Sequence, residues 1–142
     1  RAEYQWAHKA KLANNEQDAS IFMTKYAKNH NLEPTGLTYY SQPVSLEDMM
    51  KDIMKGKVKE NVFFNTKCCE GYKVTQPIEG GYRLTTKNYK GLPILLKTSK
   101  VMFEGNKAGR GLGWVRYDGV TQYTTVIGAT KQAVKMTSIS DL

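Results

Sequence analysis

The chain has 142 residues, 24% charged and 40% hydrophobic, the balance of one ordinary globular domain and not of a disordered chain. No run of about 18 apolar residues occurs, so no segment reads as a membrane-spanning helix. The net charge of +8 is unevenly placed: residues 1–71 hold ten Lys/Arg against nine Asp/Glu, residues 72–142 eleven against four.

Such segregation favours a surface in the second half that faces a polyanion. The chain opens on Arg1 with no Met and no apolar leader, the expectation for a trimmed or processed start. Its two cysteines, Cys68 and Cys69, are adjacent. A vicinal pair closes no loop and staples nothing, so a reducing, intracellular (cytoplasmic) setting is expected. With no nearby His or further Cys they also fall short of a zinc site.

In chain order, residues 2–30 are predicted helical, rich in Ala, Lys, Glu and Gln and free of Gly and Pro. Ala19, Phe22, Met23, Tyr26 and Ala27 form an apolar stripe at helical spacing. Residues 1–14 can extend as a protruding helical arm. Asn31 to Pro43 is a connection with a turn at Pro34-Thr35-Gly36, and Tyr39 and Tyr40 are expected to lie over the core. Residues 45–55 give the clearest helix. Ser45 caps it, Leu46, Met49, Met50, Ile53 and Met54 share a stripe, and Gly56 supplies the stop.

From Val58 the period changes to two. Strands are expected over 62–69, 72–75, 82–86, 94–103, 114–117, 120–127 and 133–139, with Asp118-Gly119 as a hairpin turn. Helices first and strands afterwards predict an α+β fold in one domain, residues 1–142. The expected architecture sets helices at about 2–30 and 45–55 before a six- or seven-stranded antiparallel meander, strongly curled or closed into a small barrel.

The stretch from Leu92 to Val120 holds a loop with four glycines (Gly105, Gly109, Gly111, Gly113) and two cations (Lys107, Arg110), followed by a strand with Trp114 and Arg116. It is not a phosphate-binding loop, because no Gly-Lys-Ser/Thr occurs and a strand, not a helix, follows. A flexible cationic hairpin loop is the expectation.

Arg110 to Tyr117 (RGLGWVRY) resembles the eight-residue RNP1 signature of the RNA-recognition motif, with Leu112 departing where an aromatic is usual. In that family aromatics on an open sheet stack on bases. The family's helices have no counterpart in residues 71–91 or after Asp118-Gly119, so its fold is not carried over. Cations and aromatics on adjacent β positions keep the same chemistry without it. Arg116-Tyr117-Asp118-Gly119 also resembles the K-x-D-G core of nucleotidyltransferases. There Arg116 replaces a lysine that must deprotonate, so no such chemistry is expected. Two histidines, His8 and His30, give no triad, and the scattered carboxylates of the second half give no metal site.

The expected function is a non-catalytic nucleic-acid-binding module, with single strands or RNA favoured. Its expected contacts are Arg83, Lys87, Lys90, Lys107, Arg110, Trp114 and Arg116, with no cofactor and no metal. A structural or assembly domain of a larger complex or viral particle, self-associating through the N-terminal helix, is the alternative. An enzyme acting on an anionic substrate comes third.

Overall fold

A computed structural model of the chain describes residues 17–66, 72–78, 82–87, 90–97, 113–125 and 127–139. The proposed arm, the cysteine pair and the glycine-rich segment with Lys107 and Arg110 lie outside these residues.

Helix α1 covers residues 17–29. Its end is set by Asn31, at φ 56°, whose left-handed backbone lets Leu32 N–H reach the Ala27 carbonyl at 2.8 Å, a Schellman-type stop. The second helix, α2 (Leu46–Met54), starts where the Ser45 hydroxyl accepts the Asp48 N–H at 3.1 Å. Glu47 and Asp48 fill its first turn, where carboxylates oppose the positive helix end. It stops at Gly56, φ +73°.

Seven strands follow or flank these helices: β1 (Thr38–Tyr39), β2 (Val62–Asn65), β3 (Tyr72–Ile78), β4 (Tyr82–Lys87), β5 (Lys90–Lys97), β6 (Trp114–Thr124) and β7 (Thr130–Ile139). They form one sheet in the order β1-β2-β6-β7-β5-β4-β3. The class is α+β, as expected, but two expectations are corrected. The sheet is open and neither closed nor strongly curled, and it is mixed: β1 pairs with β2 and β5 with β7 in parallel. The cause is topological. A closed meander needs sequential strands to be neighbours, whereas β7 lies between β5 and β6. Strands β5 and β6, between which the glycine-rich segment runs in sequence, are therefore not paired with each other.

A third correction concerns Asp118-Gly119. No turn occurs there; β6 runs straight through, and the register slips between Tyr117 and Gly119 in a β-bulge. Gly119 at φ +101° is the reason, since a left-handed residue inside a strand absorbs one extra residue without reversing the chain. The reversal comes later, where Gly128 at φ +87° closes the β6–β7 hairpin.

Alternation divides the sheet's two faces. Phe64, Val115, Val134, Met136, Ile94 and Leu96 pack with Leu46, Met49, Met50 and Ile53 of α2 in the main core. Phe63 faces the other way and packs with Met23 and Tyr26 of α1. Further along that second face, Leu84, Leu95 and Ala133 form a separate small cluster with Tyr82 and Tyr123 against it.

A Cβ added at Gly119 would lie 2.5 Å from Glu60 Oε1, but that carboxylate is the movable end of a flexible side chain, so the backbone conformation is the larger cost. Gly119→Ala is predicted to destabilise by about 1–3 kcal/mol in urea unfolding, and adding Glu60→Ala should recover little of it. Full recovery by Glu60→Ala would show the contact, not the bulge, to be limiting.

Candidate functional site

The second face, which carries α1 at one side, is where the chemistry-bearing side chains of the second half collect. Its central rung runs across four strands in register: Arg116 on β6, Thr137 on β7, Lys97 on β5 and Tyr82 on β4. One rung along, Lys135 of β7 stands beside Leu95, which is paired with Leu84.

At the α1 side the rung is closed by a polar network. Two residues on along β6, Asp118 stands on the face of Arg116. There Arg116 Nε donates to Asp118 Oδ1 at 2.7 Å, the Thr137 hydroxyl donates to Asp118 Oδ2, and Arg116 Nη1 donates to the Tyr26 hydroxyl at 3.3 Å. Burial disfavours the charged guanidinium, but the hydrogen bond and charge of Asp118 outweigh it, and the Arg116 pKa is raised. Beside it, Trp114 stacks on Phe22 of α1 with ring centroids 4.7 Å apart and planes 11° from parallel. Tyr26 meets Phe63 edge-on at 4.9 Å. His30 lies against Tyr26 at the end of α1 and donates from Nδ1 to its carbonyl. This is the arrangement of a helix clamped onto a sheet.

The other half of the rung differs. The Lys97 ammonium lies 5.7 Å and the Lys135 ammonium 5.1 Å from the Tyr82 ring centroid, within cation–π range. A hydrogen bond with Tyr82 is the main cause of a raised Lys135 pKa, so this lysine stays charged through the neutral range. Lys97 is exposed and Lys135 half-buried. Among the described residues of the second half the one carboxylate is Asp118, and its oxygens are engaged by Arg116 and Thr137. It also acts weakly on Lys135.

Of the seven residues expected to bind nucleic acid, the five that are described stand at separate places on the sheet. Trp114 and Arg116 contact α1. Lys87 and Lys90 pair with each other at the β4–β5 turn, seven residues or roughly 23 Å of strand from Lys97. Arg83 pairs with Pro77 and Leu96, and Lys107 and Arg110 are outside the described residues. Lys97 and Lys135, which sequence reasoning did not single out, are the ones brought together with Tyr82. Alternation along 133–139 puts Lys135 on the face of Thr137, but only the parallel pairing of β7 with β5 reveals that Lys97 is its neighbour.

A hollow beside α1, lined by Asp18, Ala19, Ser41, Pro43, Asn65 and Trp114, holds ≈ 60 Å³, well below the roughly 300–1,000 Å³ of small-molecule sites. Among the described residues no three His, Cys, Asp or Glu side chains gather as a metal site would require, and no helix is long and apolar enough to cross a membrane. No family model, curated protein or solved structure matches the chain.

Asp118→Ala would leave Arg116 without its main partner. Because the Arg116 side chain is 30% exposed, water compensates in part, and a cost of about 1–3 kcal/mol is expected instead of the larger penalty of a fully buried orphan charge. In a double-mutant cycle by urea unfolding, Asp118→Ala and Arg116→Met together should cost less than their sum. Strict additivity would mean that the pair is not coupled.

Proposed function

We propose that the protein is a non-catalytic nucleic-acid-binding module that presents the second sheet face, beyond α1, to the ligand. One observation carries the reading: two lysines from different strands converge on Tyr82, and the carboxylate nearest to them is already engaged by Arg116 and Thr137. Lysines so placed neutralise phosphates and release counterions, while a tyrosine between them offers a surface on which a base can stack. The charge of the second half agrees with this, with eleven Lys/Arg against four Asp/Glu. Lys107 and Arg110, outside the described residues, are two of those eleven cations. Trp114 and Arg116 act through stability, by holding α1 in place.

The second reading, an assembly domain, is favoured by two exposed apolar side chains of the β6–β7 hairpin, Ile127 at its turn (90% exposed) and Val120 on β6 (50%).

Binding of fluorescein-labelled oligonucleotides, followed by anisotropy between 25 and 300 mM salt (a range set by about a decade of screening), tests the proposal. Affinity should fall steeply as salt rises. Lys97→Ala with Lys135→Ala should weaken binding and lower the log–log slope by about 1.4 for a single strand, with little change in Tm. Trp114→Ala should lower Tm and leave the slope unchanged. Absence of binding at low salt would sink the proposal.

A further inference from the structure

The second face continues past Lys135 towards the hairpin. Tyr123 of β6 and Lys131 of β7 are directly paired there. Both stand on the same face as Lys135, because positions 131, 133 and 135 alternate with the buried Val134 and with Gln132. Lys131 is exposed and Tyr123 half-buried. Between the two tyrosines the floor is apolar: Leu84, Leu95 and Ala133 are each less than 9% exposed, and both Tyr82 and Tyr123 pack against them.

Resting on the nucleic-acid reading above, we propose that the ligand is a single strand lying along β7, from Lys131 at the hairpin to Lys97 at the far rung. Tyr82 and Tyr123 are its stacking platforms. The track covers positions 131 to 137 of β7, about 20 Å of strand. A nucleic-acid strand drawn out to about twice its stacked rise of 3.4 Å places three to four nucleotides on that length, the low end of the site sizes of sheet-based single-strand binders.

Two features select a single strand over a duplex. The lysines follow one line, suited to one backbone, and not two parallel rows. The tyrosines lie on an apolar floor, where they can meet the faces of unstacked bases, and a duplex keeps those faces inside its own stack. Sequence preference is expected to be weak, since every base has a face to stack and no described residue of the track is a carboxylate or amide aimed at base edges.

The test uses the full chain with labelled oligo(dT) of 2, 4, 6, 8 and 12 nucleotides and a 12-base-pair duplex at one low salt concentration. Affinity should climb steeply up to about four nucleotides and then rise only slowly, and the duplex should bind at least about tenfold more weakly than the 12-mer strand. Tyr82→Leu and Tyr123→Leu should each weaken strand binding by about tenfold, while Tyr82→Phe and Tyr123→Phe keep it. Equal or tighter duplex binding in the unmutated protein, a measurement that needs no variant, would overturn the single-strand track. It would leave the nucleic-acid reading standing, because salt-dependent binding would persist. Loss of all salt-dependent binding would remove both.

Discussion

The pairing of β6 with β7 is the constraint on which the rest of the fold depends. It runs through ten registered pairs from Trp114↔Ile139 to Thr124↔Thr130. On one flank β6 holds β2 and, through it, β1; on the other β7 holds β5, β4 and β3. Every second residue of these two strands faces α2, and the residues between them face α1 or the lysine cluster. A one-residue slip would exchange Val134 and Met136 with Lys135 and Thr137, placing charge in the core. The bulge at Asp118 is the one permitted exception. It shifts the alternation beyond Asp118, so that Gly119 pairs with Lys135 and Val120 with Val134.

The carboxylate of Asp118 shapes the surface electrostatics of this face. Asp118 is engaged by Arg116 and Thr137 beside α1, so one anion and one cation of this face are paired with each other. Among the described residues of β5 and β7 the charged side chains on this face are Lys97, Lys131 and Lys135. The helix and the lysine cluster therefore divide one sheet face between a structural half and a charged half. The central rung from Arg116 to Tyr82 crosses the boundary at Thr137.

The elements legible in the sequence were those whose signals are local. The Ser45 cap, the methionine stripe and Gly56 identified α2 to within a residue, and strand positions for β2, β3, β4 and β7 followed from period-two patterns and glycine or proline breaks. Asp118-Gly119 misled because the same dipeptide serves a type I′ turn and a bulge, and only the partner strand distinguishes them. The meander failed because strand order is set by long-range pairing, here the parallel alignment of β5 with β7 across an intervening segment, which no local pattern encodes. For the same reason Trp114 and Arg116 read as exposed aromatic and cation. Their partners Phe22 and Tyr26 are about 90 residues away in the chain, and α1's apolar stripe does not name the strand it will cover.

The central claim is that ligand binds at the lysine cluster and not at the Trp114–Arg116 side of the face. A 15N-labelled amide titration with oligo(dT) reads this directly. The account predicts that the backbone signals of Tyr82, Lys97, Tyr123, Lys131 and Lys135 move together at low salt and return as salt is added, while the Trp114 indole N–H stays in place. Movement centred on Trp114, Arg116 and α1, with the Lys97 and Lys135 signals unmoved, would contradict it.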